Sequence, residues 1–292
     1  MKNRRLASLS AYPYVVWMAI FVVIPLVLVV FYAFTNDAGQ FTTANFNEMG
    51  SYTMVFVRSL VLSAAATAVC LILGYPVAYV LAKESAGFQR IALMLLMLPM
   101  WINFLLRTYA WMSILENTGL LNTLFSDIGL IALVNKIGSA LSSSYVPIDH
   151  FQMINTQGAV ILGMVYNYLP FMIMPIHSVI VKIDRATIEA AQDLGADDVT
   201  VFRKVIFPLS LPGVLSGITM VFVPSVSTFI LSKLLGGGTT MLLGDLIELQ
   251  FMGGAYNPHL GSAISLIMMI IVMVCMALMN RFGDGEDQAV ML

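Results

Sequence analysis

Six apolar runs, each roughly 20 to 25 residues long, restrict this chain more than any other feature of it. They lie at 12–34, 60–82, 91–115, 159–181, 209–232 and 260–279. At about 1.5 Å of rise per residue, a helix of that length spans the ~30 Å of a bilayer's hydrocarbon, and in lipid a helix satisfies its own backbone donors and acceptors. The fold expected is all-α integral membrane: six transmembrane helices in one domain over 12–282, with a short segment at 1–11 and a tail at 283–292. Composition agrees, since 59% of the 292 residues are hydrophobic and 10% charged, outside the range of soluble globular domains. The first run follows Lys2, Arg4 and Arg5 as a signal peptide would. It is too long for one and no small-residue cleavage site follows, so it reads as a retained first helix.

Charge orients the helices. With the first terminus inside, the inner stretches hold Lys2, Arg4, Arg5, Lys83, Arg90, Lys182, Arg185, Arg203, Lys204 and Arg281, leaving Arg58, Arg107, Lys136 and Lys233 elsewhere. The positive-inside rule then places both termini and the 184–213 loop in the cytoplasm. A net charge of −2 with no basic run offers nothing that tracks a nucleic-acid backbone. Cys70 and Cys275 lie inside apolar segments, His150, His177 and His259 are far apart in sequence, and no Cys and His cluster has metal-ligand spacing.

The longest charged stretch between two apolar runs is DRATIEAAQDLGADDVTVFRKVIFPLSLPG, residues 184–213. Asp184 can cap a helix through residues 186–194, Gly195 can take the left-handed conformation that closes it, and Asp197 or Asp198 can cap a second helix. That second helix carries Val199, Phe202 and Val205 near one face and is expected to end at Pro208. The pattern resembles the cytoplasmic loop of ABC importer permease subunits, which reads Glu-Ala-Ala, three residues, Gly, nine residues, Ile, one residue, Leu-Pro. Here it is Glu189-Ala190-Ala191, Gly195, Val205 and Phe207-Pro208, with Val for Ile and Phe for Leu. The resemblance implies the type I importer permease fold and a loop, 184–208, docked into a separate ATP-binding cassette ATPase dimer. Glu189 would hold that motor, Gly195 would permit the turn and Phe202 would fill a pocket. The alternative is an amphipathic loop lying on the membrane surface.

Helix breakers recur in the spans: Pro25, Gly74, Pro76, Pro99, Pro170, Pro175 and Pro224. Kinked helices in lipid need neighbours for their freed carbonyls, which favours a bundle around a pathway. Arg107 lies inside the third span. Unpaired at mid-bilayer it costs about 3 kcal/mol on insertion scales, so it faces protein or water, or reaches the outer headgroups. The outer loop 116–158 holds semi-apolar stretches that can form short helices, then a Ser-rich turn. Gly236, Gly237 and Gly238 are followed by no Gly-Lys-Ser or Gly-Lys-Thr, so they read as a turn rather than a phosphate cradle. Residues 241–251 then form a short helix with Asp245 and Glu248 on one face.

RTYAWM at 107–112, LPFMIMPIHSVIVKID at 169–184, and LLGGG, GDLIELQF and GSAISL near the end look like the permeases of spermidine and putrescine importers, closest to the first of their two permease subunits. The likeness implies a second homologous permease, an extracellular or periplasmic substrate-binding protein, and a multi-pass place in a prokaryotic cell membrane. It also implies that ATP and Mg sit on the partner ATPase, with no cofactor bound by this chain and no catalysis in it. The departure is the longer outer loop around 139–149. Candidate pathway residues are Trp101, Arg107, Tyr109, Trp111, Tyr166 and Tyr168, with Asp245, Glu248 and Glu116 toward the outer face. Each aromatic ring can attract an ammonium group by roughly 0.5 to 2 kcal/mol, though aromatic residues also anchor helices at interfaces. Permeases for other small amines, opines or aminoethylphosphonate remain open alternatives. An ion-coupled secondary transporter would place an acidic residue midway through a span, and none of the six carries one.

Overall fold

A computed structural model describes residues 13–142 and 145–287. The 1–11 segment, Tyr12, two positions of the Ser-rich turn and the tail beyond 287 lie outside the described residues. Helices α1 (Pro13–Ala33), α2 (Ala44–Met49), α3 (Thr53–Lys83), α4 (Ala86–Met97), α5 (Phe104–Leu115), α6 (Leu120–Asp127) and α7 (Leu130–Leu141) fill the first half. Then come α8 (Gln157–Ile180), α9 (Arg185–Asp193), α10 (Asp198–Ser227), α11 (Ile230–Leu235), α12 (Leu243–Met252) and α13 (Pro258–Asp287). Among the described residues the extended pairing is a single bridge, Thr35 to Phe41. Five helices are long and apolar enough to cross a membrane, and α4 with α5 supplies a sixth crossing when counted as one broken span.

The third span is therefore not the single kinked helix expected. Its two arms meet at 88°. A 3₁₀ turn at Leu98–Trp101 carries Pro99, and Asn103 then starts a new helix by accepting from the amide of Leu105 at 2.8 Å. The proline removes a donor and the asparagine supplies a cap, so two local effects agree on a break there.

Proline has the opposite outcome at two other places. Pro25 and Pro208 each follow a π turn, Ala19–Val23 and Phe202–Ile206, in which Ile24 donates to Ala19 and Phe207 to Phe202 across the wider turn. The widened turn opens where the ring would crowd the carbonyl one turn back, and the helix continues. Pro208 thus does not end the second loop helix. One continuous rod, Asp198–Ser227, runs from the loop into the membrane span.

Residues up to Phe56 together with Leu246–Val274 make one compact unit, and Val57–Asp245 with the segment from Cys275 make another. In the first, His259 is satisfied, its Nδ1 3.0 Å from the Tyr32 carbonyl and its Nε2 3.4 Å from Asp37. Asn45 bridges the carbonyls of Ala33 and Thr35.

The core of the second unit is α8 against α10. Met172, Ile173 and Ile176 of α8 are fully buried, with Val214 and Val221 of α10 packed into the same cluster. Gly213 and Gly217, four apart, let the backbones meet. A Cβ on Gly213 would lie 2.8 Å from the Pro175 carbonyl oxygen, and one on Gly217 2.7 Å from the Met172 sulfur. Lipid tails are as apolar as leucine, so this close van der Waals fit, rather than escape from water, holds the pair.

Gly213→Val should overpack backbone that has nowhere to go, lowering stability by about 1–3 kcal/mol. The thermal unfolding midpoint in detergent is expected to fall, whereas Gly87→Ala, whose Cβ meets open space, leaves it in place.

Candidate functional site

The charged loop folds as a capped pair of helices. Asp184 accepts from the Ala186 amide at 3.0 Å and opens α9. At its far end Gly195 has φ +85°, and the amides of Gly195 and Ala196 return to the carbonyls of Gln192 and Ala191 at 2.8 and 3.1 Å. That is the paired closure of a helix by a left-handed residue. Asp197 then caps α10 by accepting from the Thr200 amide at 3.0 Å. The hydrogen bond from Thr200 holds the Asp197 carboxyl below its ordinary value.

The two faces of this arm differ. Ile188, Ala191, Phe202 and Val205 pack inward on the core, while Glu189, Ala190 and Gly195 are exposed. Leu194 is 90% and Val199 62% exposed, so the outward face carries apolar side chains that nothing among the described residues covers. Val199 does not share the inward face of Phe202 and Val205 as its spacing suggested.

Phe202 also differs from expectation. Its ring stands edge-on to Tyr75 at 5.8 Å and Tyr79 at 5.1 Å, both on α3, and 6.4 Å from Phe207. Within this chain it packs between these two rings of α3. Beneath it the Tyr75 hydroxyl meets the Ser210 hydroxyl at 2.8 Å; Ser210 gives its proton to the Phe207 carbonyl, so Tyr75 donates. Beside this root a cleft of about 460 Å³ is lined by Lys83, Glu84, Gln89, Arg185 and Ile188, with the Lys83 ammonium 4.2 Å over the Tyr79 ring. Tyr75, Tyr79 and Ser210 were not anticipated. Two tyrosines four apart at the charged end of a span were the available signal, as Gly213 and Gly217 at the same spacing were for the helix contact.

The candidate pathway residues separate. Arg107, Trp111 and Tyr166 line one cleft of about 280 Å³, with Trp111 and Tyr166 edge to face at 5.3 Å. The Arg107 guanidinium lies 6.0 Å from both the Phe104 and Tyr166 rings. Trp101, 78% exposed, stands at the break of the third span, and Tyr109 is exposed on α5. Tyr168 turns to α10, donating to the Pro224 carbonyl at 3.5 Å, one of the carbonyls left over where that helix stops. Asp245 is buried and accepts from the Leu242 amide at 2.8 Å, back-bonding to the start of α12 as a capping carboxylate. Glu248 is half-buried one turn further on and Glu116 is exposed at the end of α5.

The chain matches, over residues 1–290, the family described as binding-protein-dependent transport system inner membrane component. It is 35% identical over 264 residues to the spermidine/putrescine transport system permease protein PotB of Haemophilus influenzae, covering 88% of this chain and 86% of that one. To PotB of Escherichia coli it is 34% identical, covering 88% and 90%. Among solved structures it is similar to a chain of a bacterial ABC transporter involved in the import of the acidic polysaccharide alginate, with a TM-score of 0.74, 17% identity and coverage of 97% and 96%. The MetNI methionine ABC transporter gives a TM-score of 0.51 at 17% identity, covering 84% and 98%. These two carry the fold alone.

Gly195→Val forces a β-branched residue into the left-handed region at about 1–2 kcal/mol. Faster amide exchange across 192–200 is expected, with the global unfolding midpoint little changed. The Asp197 cap has a pH signature. Its carboxyl is lowered in the folded chain, so the stabilisation is complete above the ordinary carboxylate range and disappears as pH falls through the lowered value. Asp197→Asn, which caps without titrating, should abolish that acid-induced loosening when Thr200 exchange is compared at matched pH.

Proposed function

The chain belongs to the family of binding-protein-dependent transport system inner membrane components, and on that premise we propose that it is one permease of a two-permease, ATP-driven importer of polyamines. The observation that carries the mechanism is the exposed arm α9–α10, whose second helix is continuous with a membrane span. In this reading the arm and both termini lie in the cytoplasm of a prokaryotic cell, in keeping with the charge bias of the loops. A separate ATPase dimer, which holds the ATP and Mg, grips the exposed Glu189–Ala190 and Leu194 surface.

Closure of that motor displaces α9. The displacement reaches the bilayer because α10 is an unbroken rod, anchored to α3 by Phe202 between Tyr75 and Tyr79 and to α8 at Gly213 and Gly217. Moving the rod moves α8 with it, and the two helices switch the pathway between its two openings. A substrate-binding protein delivers cargo on the far side, and a second permease presents the other arm to the other half of the motor. Spermidine and putrescine are supported by the 35% identity to PotB over 88% of the chain. Trp111 and Tyr166 offer ring faces for an ammonium group. A second reading, an amine that also bears an acid group such as an opine or aminoethylphosphonate, draws its support from Arg107 in the same cleft.

Reconstituted with the second permease and the ATPase, the complex should hydrolyse ATP faster with binding protein loaded with spermidine or putrescine than with empty binding protein. Stimulation by an opine and not by either polyamine would replace the substrate assignment. In cells, uptake should stop when ATP is depleted and the ion gradient kept; continued uptake would sink the ATP-driven mechanism. Gly195→Val should leave hydrolysis uncoupled from uptake.

A further inference from the structure

Arg107 sits where a positive charge is poorly served. It belongs to the first turn of α5, just after the Asn103 cap, where the helix dipole already presents positive charge. Its Nε is buried without a hydrogen-bond partner among the described residues, and the planar guanidinium stands between the rings of Phe104 and Tyr166 at 6.0 Å from each. The residues that line its cleft, Ile102, Leu106, Ala110, Trp111, Ile114 and Tyr166, include no carboxylate. Tyr166 is the tenth residue of the 24-residue α8, about 14 Å along the helix from its start, so the ring beside the guanidinium belongs to the body of the span rather than to its end. Lipid tails could cover the exposed apolar rim of Ile102, Leu105, Leu106 and Tyr109, but they bring no anion. A polyamine, itself a cation, cannot supply one either.

We propose that this cleft receives an Asp or Glu side chain from a membrane helix of the second permease, forming an Arg–carboxylate pair between subunits. The proposal rests on the two-permease reading above. A carboxylate matches the planar fork of guanidinium donors, and at low dielectric such a pair specifies partner and register more sharply than apolar packing. The exposed side of α5, with Ile102 just ahead of it and Leu105, Leu106 and Tyr109 on it, is the surface along which that helix would lie. The pair also removes a charge that would otherwise repel a cationic cargo.

The test uses the assembled complex of this chain, the second permease and the ATPase, purified through a tag on this chain. Arg107→Glu is expected to lose the second permease while retaining the ATPase, whose retention reports an intact fold. Each Asp and Glu in the membrane helices of the second permease is then changed singly to Lys. One of these should restore co-purification and uptake with Arg107→Glu and be impaired with Arg107 itself. Leu106→Cys, which keeps the arginine, carries the test if Arg107→Glu does not fold. With Cys275→Ala, it should cross-link to a cysteine placed beside one of those Asp and Glu residues, each tried in turn, and cross-linking to none of them would overturn the inference. Full retention and uptake by Arg107→Glu, absence of any rescuing reversal, or a defect cured by exchanging anionic for zwitterionic lipid would overturn the inference alone. So would an Arg107→Glu complex that assembles but changes which amine it accepts, which would make the cargo the source of the carboxylate. A wild-type chain that carries no second permease would overturn the proposed function and this inference together.

Discussion

The close approach of α10 to α8 is the contact on which the rest depends. In hydrocarbon there is no water to drive two apolar helices together, so stability comes from atoms that fit. Gly213 and Gly217 bring the α10 backbone to within reach of the Pro175 carbonyl and the Met172 side chain, and the buried surface of α8 follows from that. Without it α10 would be a kinked rod leaning on lipid. With it, force applied at the cytoplasmic end of α10 has a defined place to go.

The polar arm and the membrane spans were legible because they rest on short-range chemistry. Asp184 and Asp197 cap as their side chains allow, Gly195 takes the positive φ that its missing Cβ permits, and the spans are set by length and apolarity. The errors share one cause: a proline shows where a donor is missing but not how the backbone answers. At Pro99 the answer is a right-angle break, because Asn103 caps a new helix three residues after the turn. At Pro208 it is a widened turn and an uninterrupted helix. The proline alone does not choose between these; the cap that follows Pro99, and the widened turn ahead of Pro208, do.

The candidate site divides along the same line. Exposure of Glu189 and Ala190 could be anticipated from their polarity and place, whereas Phe202 could have turned either way. It turned inward because two tyrosines of α3 were waiting, and that needed the fold to be seen. The pathway set rests on residue type alone. Asp245 proved to be occupied by a backbone amide and Tyr168 by a stray carbonyl, leaving Arg107, Trp111 and Tyr166 as the cluster that shares a space.

The widened turn at Phe202–Ile206 has one more effect. It holds one residue beyond what an α-helix would use, so side chains before and after it differ in azimuth by about 100° from a regular count. The bearing on which the arm points is thereby decoupled from the stripe that α10 lays against α8. Losing that surplus residue would swing the arm by about 100° about the helix axis, presenting it to a differently shaped motor while the stripe against α8 stays as it is.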